Sequence, residues 1–430
     1  MKLRLMVLLQ KLLLPMVRLA VRVAPETFFP VPRFARPTGR HPVGVRDIQC
    51  GDNSRKLMAR IWYPAGSVAG VERRAYLTKE EYPVMEAGLM QALGYNRSMV
   101  RRLAAIQTWS HEGAAPLAAA EDELPLVLFS HGFGCLVASN TQLCEELASH
   151  GYLVVSLAHP GSTAALCYPD GSGAVLAEDC LRTIARPGLL DLAMGVLGAG
   201  SPEERKRATL GWSSDAGMKA LSDTWVSDSR RCLDDLSAGA CEPPCEDLVA
   251  VANFSRVGAC GMSFGGSVSA TLAQEDGRVA AVINLDGGQV DTALVNAPCR
   301  VPLLMLHSNA LPMAEQGGFN DFHYEPHHVA GQTPGVERAL VDGSAHMDFT
   351  DSTVFRGRLL RWLSGLGTIS GERMVALTSA ACVAFLDRHL RGRGADQHGG
   401  VLPGLSRQWQ EIWLLDLSRV RNASRSLSDL

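Results

Sequence analysis

Ser263 lies in residues 261–266, which read Gly-Met-Ser-Phe-Gly-Gly and match the G-x-S-x-G spacing of a nucleophile elbow. Such a turn exposes a serine hydroxyl at the end of a strand, and it is so tight that flanking glycines are needed. The apolar residues 257–260 before it predict the strand, and the small residues 267–274 after it predict a helix. Because the pattern alone is common by chance, its meaning depends on partners further along the chain.

A serine hydroxyl attacks at neutral pH only when a nearby base takes its proton and a carboxylate orients that base. Asp286 is the candidate acid. It ends the apolar run 280–285, precedes Gly287-Gly288 and follows Ser263 by 23 residues, which leaves room for one helix and one strand. The alternative is that Asp286 only caps the helix that follows.

His346 is the candidate base, because imidazole titrates near neutrality and can both accept and return a proton. It lies in residues 343–349 (Gly-Ser-Ala-His-Met-Asp-Phe), directly after the last apolar run, and completes the chain order serine, acid, histidine. The rival histidines are His307, His327 and His328.

Negative charge on an attacked carbonyl oxygen must be met by backbone N–H groups. Phe264, directly after the serine, is one candidate donor, and Phe133 in residues 130–134 (Ser-His-Gly-Phe-Gly) is the other. The alternative for 130–134 is a turn without a catalytic role. The residues predicted to support the two loops are His131, Gly132, Gly134, Gly261 and Gly265.

Six short apolar runs must position these residues, at 124–129, 152–157, 257–262, 279–285, 301–306 and 338–341. Runs without polar alternation suit strands that are buried on both faces, so they predict a parallel sheet covered by helices. The predicted fold is therefore a doubly wound, mostly parallel α/β sheet of the α/β-hydrolase type, with a helical insertion before the nucleophile strand.

We predict three parts: a basic amphipathic segment 1–42, an α/β-hydrolase domain 43–392 and a tail 393–430. Within the domain, residues 45–63 indicate an opening hairpin and 374–390 a closing helix. The insertion at about 170–247, with helices predicted at 185–197 and 227–236, is either a lid over a pocket or a surface excursion.

The N-terminal segment is predicted to touch a membrane surface through residues 1–24. Arg4, Lys11, Arg18 and Arg22 share one helical face opposite apolar side chains, which favours binding at an anionic interface. The alternatives are a cleaved targeting segment and a helix packed on the domain. The predicted location is cytoplasmic with membrane association, and secretion is the alternative.

Composition excludes several classes of protein. A formal net charge of −3 without a long basic stripe argues against a nucleic-acid partner, and 47% hydrophobic residues argue against a disordered chain. The 11 cysteines lack metal-ligand spacing, which predicts free thiols and no metal. Cys241 and Cys245 are expected in a solvent-exposed loop, with a local disulfide as the alternative.

Together the motifs resemble the platelet-activating-factor acetylhydrolase family, in its plasma and intracellular type II branch, and the related bacterial esterases. The resemblance runs from about residue 43 to 392 and is carried by residues 130–134, 147–152, 261–266, Asp286, 302–308 and 343–351. It implies a calcium-independent lipase fold, without metal or organic cofactor, that removes short or oxidised acyl chains from phospholipids. Residues 158–162 and 168–172 look more like the bacterial relatives.

The predicted function is a serine ester hydrolase that cleaves short acyl esters, foremost the sn-2 acetyl or short acyl chain of phospholipids, through an acyl-enzyme at Ser263. The substrate expected is a small ester or a phospholipid. The alternatives are a general carboxylesterase or polyester hydrolase and, with less support, a non-catalytic binding protein of the same fold.

Overall fold

An 11-stranded mixed sheet forms the centre of the molecule in the computed structural model. The structure describes residues 29–118, 123–199, 201–309, 335–355, 364–393 and 400–415, and the single positions 19, 23, 27 and 361. The strands are β1 (Val43–Asp52), β2 (Arg55–Pro64), β3 (Arg73–Ala75), β4 (Gln107–Glu112), β5 (Leu124–Ser130), β6 (Leu153–Ala158), β7 (Ala165–Cys167), β8 (Gly173–Val175), β9 (Ala252–Met262), β10 (Val279–Leu285), β11 (Leu303–Ser308), β12 (Val336–Val341) and β13 (Ile412–Leu414).

The sheet order is β13-β12-β11-β10-β9-β5-β6-β2-β1-β4-β3, while β7 and β8 form a separate two-stranded sheet. The consecutive strands from β12 to β6 are all parallel. They are the six strands that the apolar runs predict. The predicted opening hairpin is β1 and β2, which pair antiparallel to each other and extend the sheet beyond β6.

Helices cover both faces of the sheet. Their bounds are α1 (Tyr82–Leu93), α2 (Arg97–Ala104), α3 (Thr141–Ser149), α4 (Glu178–Ala185), α5 (Pro187–Gly198), α6 (Pro202–Ser213), α7 (Ala216–Ser237), α8 (Glu246–Val249), α9 (Phe264–Glu275), α10 (Ala293–Asn296), α11 (Gly371–Arg391) and α12 (Leu402–Leu405). Two short 3-10 helices, His346–Phe349 and Asp351–Val354, follow β12.

Alternate residues of one strand show how the two faces are filled, because side chains along a strand point to opposite sides. Leu126 and Leu128 of β5 pack with α7 and α9 on one face. Val127 and Phe129 of the same strand pack with α3 and α11 on the other. The architecture is therefore doubly wound, and the predicted fold class is confirmed.

The insertion contains more structure than the sequence predicts. The predicted helices correspond to α5 and to the longer α7, whereas α4, α6 and the short strand β8 were not expected. Trp225, Leu233 and Leu236 of α7 are almost fully buried and belong to the core on one face of the sheet. Thus α7 is a core helix of the domain rather than a surface excursion.

The prediction of an exposed loop around Cys241 and Cys245 is wrong, because the two side chains are only 4% and 2% exposed. Both side chains belong to the core on the face of the sheet that α7 covers. The Sγ atom of Cys50 in β1 lies 3.2 Å from that of Cys241. The hydrogen bond with Cys245 lowers the pKa of the Cys241 thiol, but the hydrogen bond with Cys50 and burial outweigh it and raise that pKa above its ordinary value.

Segments on both sides of the predicted domain also pack against it. Phe29 and Phe34 are buried beside α1 and α2. At the other end, Leu402 and Ile412 join the core, and β13 pairs antiparallel with β12. The segment 1–24, which is predicted to contact a membrane, lies outside the described residues except for two positions. No helix in the described part of the chain could span a membrane.

Candidate active site

Ser263 occupies the sharp turn between β9 and α9 with a φ angle of 55°, in the left-handed region that side chains other than glycine rarely adopt. The turn needs its glycines. A Cβ atom on Gly261 would lie 2.2 Å from the carbonyl carbon of Gly265, and one on Gly265 would lie 2.1 Å from the carbonyl oxygen of Ser130. The close approach of β5, β9 and α9 therefore holds the serine at the carboxyl edge of the sheet.

The structure brings the three candidate residues together. The Nε2 atom of His346 lies 2.9 Å from the Oγ atom of Ser263, and the Nδ1 atom lies 2.7 Å from the Oδ2 atom of Asp286. Both distances are those of hydrogen bonds. With Nδ1–H donating to the carboxylate, Nε2 carries the lone pair that can accept the serine proton.

Asp286 follows β10 and, like Ser263, has a positive φ angle, 57°. Its second oxygen, Oδ1, accepts the backbone N–H of Ser308 at 2.7 Å. Burial raises the pKa of this carboxyl, but the hydrogen bond and charge of His346 outweigh burial and leave the pKa below its ordinary value. The group is therefore an anion near neutral pH, as a carboxylate that orients an imidazole must be.

His346 begins the short helix after β12, and its side chain is 48% exposed. Loss of water around the ring lowers its pKa, whereas the hydrogen bond and the charge of Asp286 raise it. The net effect raises the pKa of His346 above its ordinary value. The proton-accepting neutral ring therefore predominates only above that raised pKa.

Two buried carboxylates fix the loop that carries His346. Asp348 accepts the backbone N–H groups of Ala345 at 2.9 Å and Gly367 at 2.5 Å. Asp351 accepts the N–H of Thr141 at 2.7 Å, at the start of α3. Both aspartates lie in the 343–351 motif, but the sequence alone does not indicate which backbone N–H groups they bind.

The two candidate oxyanion donors lie on adjoining loops. A Cβ atom on Gly132 would lie 3.3 Å from the Cβ atom of Ser263, and the rings of Phe133 and Phe264 meet edge to face with centroids 6.4 Å apart. Within the described part of the chain neither phenylalanine amide has an acceptor. Gly134, with a φ angle of 67°, turns the loop back. Both N–H groups are therefore available to a substrate oxygen.

An apolar pocket lies next to the loop that carries His346, although neither the three candidate catalytic residues nor the two candidate oxyanion donors line it. Met347, next to His346, lines it together with Cys135 and Leu136, which directly follow the 130–134 loop. On the other side it is lined by Leu89 and Leu93 of α1.

Of the rival histidines, His327 and His328 lie outside the described residues, and His307 belongs to β11. The described residues contain no cluster of side chains that could hold a metal. Nothing in the sequence pattern selects Trp225 or Asp228 of α7, yet Trp225 meets His131 of the 130–134 loop edge to face, and Asp228 hydrogen-bonds His159. Their positions depend on folding of the insertion, for which residue spacing offers no signal.

Comparisons with known proteins identify the family and the fold. The model of the family described as platelet-activating factor acetylhydrolase, isoform II, matches residues 27–177 and 245–405, and leaves 178–244 unmatched. A platelet-activating factor acetylhydrolase from Cavia porcellus is 27% identical over 384 residues, which cover 85% of this chain and 80% of that protein. The protein of the same name from Gallus gallus is 23% identical over 378 residues, covering 85% and 86%.

Among solved structures, a ferulic acid esterase from Streptomyces cinnamoneus is similar with a TM-score of 0.63 and 25% sequence identity. The similarity covers 90% of this chain and all of the esterase chain. The fold is thus the α/β-hydrolase fold.

We expect the Asp286→Asn change to lower the pKa of His346, because the amide no longer stabilises the imidazolium by charge. An NMR titration of the His346 ring should show a pKa above the ordinary value of about 6.5 in the unchanged protein and a lower one in the variant. Asp291→Asn is the control, since that carboxylate does not contact His346. Equal His346 pKa values in Asp286→Asn and the unchanged protein would contradict the assigned pairing.

Proposed function

This chain belongs to the platelet-activating factor acetylhydrolase, isoform II, family and is a carboxylic ester hydrolase, and we propose that Ser263, His346 and Asp286 carry out its reaction. The observation that supports this most directly is the hydrogen-bonded series at 2.9 Å and 2.7 Å from Ser263 through His346 to Asp286. The strained backbone at Ser263 adds support, because such strain collects at functional sites.

In the proposed mechanism, Ser263 Oγ attacks the ester carbonyl carbon while His346 Nε2 takes the hydroxyl proton. The carbonyl oxygen becomes an oxyanion that accepts hydrogen bonds from the amides of Phe133 and Phe264. Collapse of the tetrahedral intermediate releases the alcohol, which leaves with the proton from His346. Water, deprotonated by the same ring, then hydrolyses the acyl-enzyme and restores the serine.

We expect Ser263→Ala to reduce kcat by about 10⁶-fold, by analogy with loss of a nucleophile in other serine hydrolases, and to leave the fold intact. Hydrolysis of 4-nitrophenyl acetate, labelling by a serine-directed organophosphate and circular dichroism would measure this. Ser255→Ala, which changes an exposed serine on the same strand, should stay active and labelled. A folded Ser263→Ala protein with normal turnover would disprove the assignment.

For the substrate, we propose the sn-2 acetyl or short acyl chain of a phospholipid. The relatives named acetylhydrolases support this choice, and so does the apolar pocket lined by Met347, which suits an aliphatic group. The second candidate is a general carboxylesterase, favoured by the ferulic acid esterase neighbour. A polyester hydrolase belongs to the same class of alternatives.

Purified protein should prefer a phosphatidylcholine with a short sn-2 chain over 4-nitrophenyl acetate, butyrate and octanoate. Leu93→Trp, which adds bulk to a half-exposed residue lining the pocket, should reduce kcat/KM for octanoate by about tenfold and affect acetate less. Met90→Trp is the matched control, because Met90 is exposed on the same helix without lining the pocket. Rapid cleavage of the aryl esters without hydrolysis of the phospholipid would favour the general carboxylesterase.

We also propose that the protein is cytoplasmic and that its segment 1–24 contacts a membrane surface. Leu19 and Val23 are helical, four residues apart on one face, and 61% and 76% exposed. Deletion of residues 1–24 should therefore weaken binding to vesicles of phosphatidylcholine and phosphatidylserine, and leave hydrolysis of a water-soluble ester unchanged. Unchanged vesicle binding in a cosedimentation assay would contradict the proposal.

A further inference from the structure

Helix α7 reaches the active site from the stretch 178–244, which lies between the two segments that match the family model. Its residue Trp225 is fully buried and touches residues from both candidate oxyanion loops. A part of the chain that the family comparison leaves unmatched thus contacts the place where negative charge would develop.

His131 controls the orientation of one candidate donor. Its Nδ1 atom lies 2.7 Å from the carbonyl oxygen of Gly132. That carbonyl belongs to the same planar peptide unit as the N–H of Phe133, so a hydrogen bond that fixes the C=O also fixes the direction of the N–H. The peptide oxygen can only accept, and Nδ1 must therefore carry the proton.

The other ring nitrogen is consistent with this tautomer. The Nε2 atom of His131 lies 2.9 Å from the hydroxyl of Thr163. The Thr163 hydroxyl also lies 3.0 Å from the carbonyl oxygen of His159, but that oxygen already accepts two backbone N–H groups, so the hydroxyl can donate to Nε2 of His131 instead. Burial, with a contribution from His159, lowers the pKa of His131 to about 3 and keeps the ring neutral.

Trp225 packs against both loops at once. Its ring meets that of Phe264 edge to face at 4.8 Å and that of His131 edge to face at 5.2 Å. Its face is stacked on His159, with centroids 3.8 Å apart and planes 11° apart. Trp225 therefore limits the movement of Phe264, which carries one donor, and of His131, which orients the other donor.

Asp228, one turn further along α7, fixes the stacked histidine. Its Oδ2 atom lies 3.0 Å from Nδ1 of His159, and the carboxylate is almost fully buried. Arg55 of β2 donates to both oxygens of the same carboxylate and balances its charge. Asp228 thus fixes His159 against Trp225, and Arg55 connects this arrangement to the sheet.

We propose that Trp225 and Asp228 are positioning residues that align the amides of Phe133 and Phe264 for the oxyanion. This inference rests on the proposed function of the site. Oxyanion donors act because they are already oriented where the charge develops, at about 2.7–3.1 Å from the oxygen. Loosening the support should therefore weaken binding of the transition state more than binding of the ester.

The test compares Trp225→Leu and the more conservative Trp225→Phe with the unchanged protein, on 4-nitrophenyl butyrate. We expect kcat to fall about tenfold in Trp225→Leu and less in Trp225→Phe, with KM within about twofold. The inhibition constant of an alkyl trifluoromethyl ketone, which forms a tetrahedral adduct with the serine, should rise in step with the loss of kcat/KM. A merely structural role would not produce that proportionality.

Trp62→Leu is the matched control, because Trp62 is as deeply buried but packs in the core on the other face of the sheet. It should lose stability while kcat per folded molecule is retained. If Trp225→Leu does not fold, Asp228→Asn provides the second variant, with an expected decrease in kcat of about threefold. Its control is Asp247→Asn, which removes a pairing of an aspartate with Arg46 at 2.7 Å in a more exposed position.

Unchanged kcat and inhibitor affinity in folded Trp225→Leu, or in folded Asp228→Asn where the former does not fold, would overturn the inference. Ser263→Ala separates this result from failure of the proposed function. If Ser263→Ala is inactive while the α7 variants behave like the unchanged protein, only the positioning role is wrong. If Ser263→Ala remains active, the nucleophile assignment fails, and the inference about its oxyanion site fails with it.

Discussion

The close contact of three backbone segments around Ser263 is the constraint on which the rest of the site depends. Gly261, Gly265 and the carbonyl of Ser130 approach so closely that a methyl group on either glycine would overlap backbone atoms. This contact joins β9 and α9 to the end of β5, and so places the nucleophile beside the loop that carries Phe133. Any widening of the turn would move the serine away from both His346 and the candidate oxyanion donors.

Much of this arrangement could be predicted from the sequence because local patterns dictate it. Buried parallel strands require unbroken apolar runs, and these runs mark the strands from β12 to β6. Ser263, Asp286 and His346 each follow such a strand, and the carboxyl ends of parallel strands share one edge of the sheet. Strand ends and chain order were therefore sufficient to place three distant residues in one site.

Other features depend on contacts between distant parts of the chain. The core position of α7 follows from where Trp225 docks, and an amphipathic pattern alone does not distinguish a lid from a core helix. Cys241 lies in a polar stretch of the sequence but is buried in the core, where it contacts Cys50 of β1. The pairing of β13 with β12 joins segments separated by more than 70 residues. None of these has a signal in residue spacing.

The two ends of the large sheet carry short strands. β3 and β13, at opposite ends of the strand order, have three residues each. An outermost strand exposes unpaired N–H and C=O groups to which another chain can add, and a long flat one invites intermolecular pairing. In this fold the longest apolar strands lie inside, and the outermost ones are too short to template an extended ladder. The arrangement protects the protein against edge-to-edge aggregation when many copies are present at high concentration.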